Sequence, residues 1–444
     1  MRTVEHAGDE FGGDRFEELP ECVRDVLGEL AGAAREGLLA LSVGVGLGVV
    51  SELMAAEVDE VVGPRGRHNP DRAAVRHGRE AGEVTLGGRR VAVERPRVRS
   101  ADGSEEVPLA TYRHFAARDR LSEVVLERML SGVSTRRYGR TQEPVGAAVE
   151  QGARSTSKSA ISREFVARTR PTLAALMSRR LDDVRPAALM IDGIVLKDRT
   201  TVVALGITTD GVKIPLGLWD GSTENATVAI ALLADLVDRG LDTEQGVLVV
   251  LDGSKALRKA VRDVLGPVPV QRCVRHKQRN VLEHLPERDR PPVKRRLRAA
   301  WALDDHDRAL DQLRQLAAAL ERSRPGAAAS LREGLEETLT LTRLGIRGNL
   351  KTTLASTNPC ESMIECVRRT SRNLKRWQSG EMCLRWTAAG MLEAERRFRR
   401  IIGHGNLAKL ALAVENDVTR ARAATGPHTA SMPTEEPVTL ATVS

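Results

Sequence analysis

The chain has 444 residues, room for about two to four domains at ~100–200 residues each. Its net charge is +8 and its pI about 9.5, with Arg carrying most of the excess, and a planar, permanently charged guanidinium favours a polyanionic partner. No run of 18 apolar residues, a polar acidic start at Met1–Glu10 and five scattered cysteines (Cys22, Cys273, Cys360, Cys366, Cys383) argue against a membrane span, a secretory leader and a disulfide framework, so a cytoplasmic protein is expected.

Residues 1–18 are rich in Gly and acids and read as disordered. From 19 to 62 the apolar residues Val23, Val26, Leu27, Leu30, Leu38, Leu39 and Leu41 recur at helical spacing. Gly44-Val-Gly-Leu-Gly48 follows no strand and does not match a dinucleotide loop, so close helix packing is the expected use. Residues 63–115 form a basic strand and loop segment, in which Glu83–Glu94 reads as two short strands around Gly87-Gly88. That hairpin suits either DNA backbone contact or a solvated charged face. In 116–182, a helix at Leu121–Leu130 is followed by a Ser-rich stretch and a helix capped near Ser157. The pattern fits a helix-turn-helix with Lys158 and Arg163 towards DNA, or an ordinary helical hairpin.

Between 187 and 276 the pattern becomes α/β. Strands are expected at 187–197, 201–208 and 212–219, a helix at 225–239, a strand at 246–252, a helix at 254–265 and a strand at 268–273. Three antiparallel strands, helix, strand, helix, strand is the order of a ribonuclease-H-like core. Residues 277–355 are charged and helical without a strand signal, an all-helical insertion in which Pro325-Gly326 parts two long helices. Helices continue through 356–420, and 421–444 reads as a flexible tail.

The apolar run Ala187–Lys197 is interrupted by Asp192, and Gly246–Gly253 contains a second strand-end acid, Asp252. Two strand-borne carboxylates need a third to hold a pair of divalent cations for phosphoryl transfer. Glu361, in the first turn of a helix opened by Asn358-Pro359, is the candidate, and Glu365 one turn on is its rival. Asp198, Asp210 and Asp220 fit turns, and Glu224 suits a helix N-terminus. Trp301 and Trp377 suit the core or stacking on distorted DNA, and Arg376 suits a phosphate.

Six words occur in order: Met190-Ile-Asp-Gly-Ile194, Gly217-Leu-Trp-Asp-Gly-Ser-Thr-Glu-Asn225, Val250-Leu-Asp-Gly-Ser-Lys-Ala-Leu257, Gln271-Arg-Cys-Val-Arg-His276, Ser356-Thr-Asn-Pro-Cys-Glu-Ser362 and Lys375-Arg-Trp377. With them the chain resembles the mutator-type DDE transposases of bacterial insertion sequences over about residues 40–415. The resemblance implies Asp192, Asp252 and Glu361 as catalytic and metal-binding triad, 60 and 109 residues apart, with the helical insertion filling the longer gap. It implies two Mg²⁺ ions, Mn²⁺ substituting, a Cys273/His276 signature, and double-stranded DNA partners: the terminal inverted repeats and a target. Arg272, Arg275 and His276 become DNA-contact candidates, and joining two ends implies a homodimer or higher assembly on DNA. A circular DNA intermediate is also suggested by the family. The competing functions are an inactive DNA-binding regulator and a ribonuclease-H-like nuclease.

Overall fold

The computed structural model describes residues 38–67, 72–86, 88–142, 153, 157–196, 199–221 and 226–425. The expected disordered start, Cys22, Asp198, Glu224 and nearly all of the expected tail lie outside them. The chain divides into two compact units, residues 1–170 with 372–374, and 171–371 with 375–444.

In the first unit α1 (Leu38–Val62) packs on a hairpin of β1 (Ala74–Leu86) and β2 (Arg89–Ser100), extended by the short β3 (Glu106–Val107). The glycines at 44–48 lie inside α1; a Cβ on Gly46 would sit 3.4 Å from the Leu86 side chain, whereas one on Gly44 would meet nothing within 4 Å, so close packing applies at Gly46. The strands run much further than the expected 83–94, pairing from Ala74 with Ser100 to Leu86 with Arg89. A bulge between Arg76 and Arg79, with Gly78 at φ +80°, bends the ribbon without ending it. Ala74, Val84, Val91 and Val98 are buried along this length, and Ala74, Val84 and Val98 belong to the apolar cluster shared with α1. Arg95 and Arg97 pair with Glu80 and Glu106 on neighbouring strands, and Arg90 with Glu83. The hairpin's charge is thus largely matched within its own sheet.

Three helices follow: α2 (Ala110–Ala116), α3 (Arg118–Leu130) and α4 (Lys158–Ser178). Ser157 Oγ accepts from the Ala160 amide at 3.2 Å, the expected cap. Ile161 and Phe165 are buried, whereas Lys158 and Arg163 are exposed. Residues 131–157 separate α3 from α4, far more than a helix-turn-helix allows, so these two helices are not by themselves that motif. Residues 143–152 lie outside the described ones. The region before the core thus combines the helices α1 to α4 with the three-stranded sheet of the basic strand segment.

The second unit is built on β4 (Pro186–Leu196), β5 (Arg199–Thr208), β6 (Lys213–Gly221), α5 (Ala226–Asp238), β7 (Leu248–Leu251), α6 (Lys255–Leu265) and β8 (Val270–Arg272). The sheet order is β6-β5-β4-β7-β8, with the first three strands antiparallel and β4, β7 and β8 parallel. Ala187 to Ile191 are all buried, so both faces of β4 are covered, as its unbroken apolar run requires. Asp220, expected in a turn, instead lies within β6 and pairs with Arg199 at 2.8 Å.

After β8 come α7 (Val274–Glu283), α8 (Arg290–Ala302), α9 (His306–Glu321), α10 (Pro325–Arg332), α11 (Thr340–Arg343) and α12 (Gly348–Leu354). No strand interrupts them, and Val281, Leu297, Leu313, Leu331 and Leu339 belong to a core separate from the sheet's. Pro325 does divide two helices as expected, although α10 is short. The chain returns to the sheet through α13 (Asn358–Ser371), α14 (Gly380–Glu395) and α15 (Leu407–Thr425), the last extending beyond the expected boundary at 420.

Arg272, expected at DNA, is buried and holds the insertion to the sheet. Its guanidinium donates to the Glu333 carbonyl at 3.0 Å and pairs with the Glu333 carboxylate at 3.1 Å. It also lies where a Cβ on Gly253 or Gly334 would stand. A basic residue beside the signature was turned inward because the insertion covers it. Arg272→Ala should therefore lower unfolding stability by about 2–4 kcal/mol, the range for breaking a buried charged contact, measured as a fall in the urea midpoint.

Candidate active site

Ile191 and Leu251 are register partners on the parallel strands β4 and β7, so the next residues, Asp192 within β4 and Asp252 just past the end of β7, stand side by side. Neighbouring strands are about 4.8 Å apart, which brings the two carboxylates close. Asp192 is only 9% exposed, and its carboxyl is pushed up to about 7, first by burial and then by the charge of Asp252, with Glu361 adding to the rise. Each acid is fixed locally: the Gly193 amide donates to Asp192 Oδ1 at 2.9 Å, and the Ser254 amide to Asp252 Oδ1 at 2.8 Å. Gly253 takes φ +111°, which lets the chain turn straight from β7 into α6, whose cap is Ser254.

Glu361 lies in the first turn of α13, as expected, and the three acids line one open cleft of about 670 Å³. Glu365 lines the same cleft from an exposed position, whereas Glu361 is the one whose charge reaches Asp192. Four basic side chains, Arg275, His276, Arg279 and Arg368, also line it, and Arg275 donates to Asn358 Oδ1 at 2.7 Å.

Cys273 opens α7 and is sealed from solvent, and His276 follows one turn on. His276 Nε2 lies 3.6 Å from Glu361 Oε1. The His276 pKa is raised, chiefly by its hydrogen bond with Cys273, against the opposing effect of burial. Thr357, which the sequence did not single out as a site residue, touches all three groups. So the signature and Glu361, distant in sequence, meet at one place.

The remaining candidates separate. Trp301 packs in the insertion core and donates from Nε1 to Thr338 Oγ1 at 3.1 Å, and Trp377 packs against the sheet's core. Arg376 is exposed between α13 and α14 and is not among the cleft residues. Arg279 and Arg368 were missed; the available signal was helical spacing, three residues after His276 and after Glu365.

Among the described residues no helix is long and apolar enough to cross a membrane. A family model described as "Transposase, Mutator family" matches residues 36–400. The chain is 28% identical over 353 residues to the transposase for insertion sequence element ISRM5 of Rhizobium meliloti (strain 1021), covering 78% of this chain and 85% of that protein. It is 28% identical over 330 residues to the transposase for insertion sequence element IS1081 of Mycobacterium tuberculosis, covering 72% and 76%. It is 27% identical over 290 residues to the transposase for insertion sequence element IS256 in transposon Tn4001 of Staphylococcus aureus, covering 63% and 70%. With a family match spanning most of its length, the chain belongs to the Mutator family of transposases.

Proposed function

We propose that the protein is a DDE transposase that binds the double-stranded ends of its insertion sequence and cuts and joins DNA strands at Asp192, Asp252 and Glu361. The observation that carries this is the convergence of three carboxylates in a cleft rimmed by Arg275, Arg279 and Arg368. The strand order, with the two aspartates side by side where the parallel pairing of β4 and β7 ends, supports a ribonuclease-H-like core bearing a helical insertion.

The donor set suits Mg²⁺, or Mn²⁺ in its place, because hard cations take carboxylate oxygens and would offset the repulsion that lifts Asp192. Asp192 would be shared by two ions, with Asp252 and Glu361 holding one each. When bound, such a pair activates the attacking hydroxyl and stabilises the leaving 3′-oxygen.

The chain's own groups do the rest. Arg275, Arg279 and Arg368 offer guanidinium forks to the phosphates either side of the scissile bond. His276 lines the cleft beside Glu361, and its pKa is raised, chiefly by its hydrogen bond with Cys273, which favours the cationic form towards a phosphate. Water cuts first and frees a 3′-hydroxyl; that hydroxyl then attacks a target phosphodiester, and no ATP is needed because one phosphodiester replaces another. Lys158, Arg163 and Arg376, all exposed, would add further backbone contacts, and the 116–182 region would read the terminal repeats. Holding two ends at once calls for a homodimer or higher assembly on DNA.

Asp192→Ala, Asp252→Ala and Glu361→Ala should each cut Mg²⁺-dependent cleavage of labelled element ends by on the order of 10³–10⁴-fold while retaining binding in gel shift. Wild-type-like cleavage by any one would remove it from the triad, and products cut but never joined would make the enzyme a nuclease. The metal-free protein offers a second check. The folded Asp192 pKa is raised to about 7, so the folded state keeps a proton that the unfolded chain has released, and stability should fall as pH rises from about 4 to 7. Asp192→Asn lacks that loss and should be more stable than wild type at pH 8 by roughly 3 kcal/mol in thermal or urea unfolding.

A further inference from the structure

Cys273 and Thr357 complete a chain of contacts from the strand that carries Asp252 to the side chain of Glu361. The Cys273 amide donates to the Leu251 carbonyl at 2.7 Å, one residue before Asp252. The Thr357 amide donates to Cys273 Sγ at 3.5 Å, and beside it the Val274 amide donates to the Ala355 carbonyl at 2.9 Å. The Thr357 hydroxyl donates to Glu361 Oε1 at 3.0 Å, while the Thr357 carbonyl accepts from the Glu361 amide at 2.8 Å.

Thr357 is the residue before α13, where a hydroxyl ordinarily caps its own helix by accepting from an amide two or three residues on. Here the hydroxyl holds the side chain four residues on instead. A hydroxyl has one proton and two lone pairs. Three groups surround this one: Glu361 Oε1 at 3.0 Å, His276 Nδ1 at 3.5 Å and Cys273 Sγ at 3.6 Å. The proton goes to the carboxylate, the shortest and charge-assisted contact. The oxygen keeps its lone pairs towards His276 Nδ1, and the sulfur accepts from the Thr357 amide.

From this we infer that Thr357 is a positioning residue that fixes the Glu361 carboxylate for cation binding, and that the Cys-x-x-His signature serves to hold Thr357. The inference rests on the proposed role of Glu361 as a cation ligand. It explains why both signature side chains face Thr357. Cys273, His276 and Glu361 also present ligand atoms within 4.8 Å of one another, a set that could hold a soft metal. Against that use, the Thr357 hydroxyl contacts all three groups, and Cys273 and Thr357 are both fully buried.

The test uses the full-length protein, with Mn²⁺ binding followed by the electron paramagnetic resonance of free Mn²⁺, in parallel with cleavage of element ends. Thr357→Val keeps the shape and removes the hydroxyl, and should weaken Mn²⁺ binding by about 10–100-fold, the usual cost of losing a partner of a metal ligand. Thr357→Ser should restore binding to near wild type, and Cys273→Ala should lie between the two. Equal Mn²⁺ affinity in Thr357→Val and wild type would overturn the inference, as would failure of a folded Thr357→Ser to recover it. Tight Zn²⁺ binding lost in Cys273→Ala would also overturn it, showing the three ligand atoms to be a metal site. Absence of Mn²⁺ binding by wild type would remove the carboxylate centre itself, and this role with it; binding by wild type that Thr357→Val leaves intact would remove only the role of Thr357.

Discussion

Three acids facing one cleft repel one another, and the rest of the second unit is arranged around sustaining that repulsion. Asp192 and Asp252 stand side by side where the parallel pairing of β4 and β7 ends. Burial first, and then the charges of Asp252 and Glu361, drive the Asp192 carboxyl up to about 7. Such a centre persists because the surrounding structure over-determines it: β4 is covered on both faces, and each aspartate accepts from a backbone amide. The same excess negative charge is what a pair of divalent cations would offset.

The third acid poses a different problem, because Glu361 is reached only after the helices from α7 to α12. Those helices have their own apolar core, so they fold as a body and return the chain close to where it left the sheet. The exit and the return are stitched directly: the Val274 amide meets the Ala355 carbonyl, and the Cys273 sulfur meets the Thr357 amide. Buried Arg272, spanning from β8 to Glu333, secures the other side of the same junction. A large insertion is tolerated because its two ends are pinned within a few residues of the site.

The first unit shows how charge can mislead when read along the chain alone. The arginines between 89 and 99 form a dense basic run in sequence, yet Arg90, Arg95 and Arg97 find Glu83, Glu80 and Glu106 across the hairpin. Exposed pairs of this kind contribute little stability. Their consequence is to reduce the free positive charge on that face. In the second unit the reverse holds: Arg275 and Arg279 on α7 and the distant Arg368 on α13 gather at one cleft.

Sequence alone determined whatever depends on neighbours along the chain. Alternation and unbroken apolar runs located the five strands of the catalytic sheet to within two residues or so, and an acid interrupting such a run marked Asp192. The Asn-Pro helix start put Glu361 on a first turn, and the Ser157 cap was legible for the same local reason. Tertiary structure decided what depends on residues brought from far away. Arg272 was turned inward by Glu333, the hairpin extended because its inward face found α1, and Thr357 acquired its partners only when the insertion closed. A side chain's conformation and secondary structure are set within a few residues, but its solvation and its charge partner belong to the folded whole, and those two quantities make Asp192 and Glu361 a candidate site rather than two acids in a sequence.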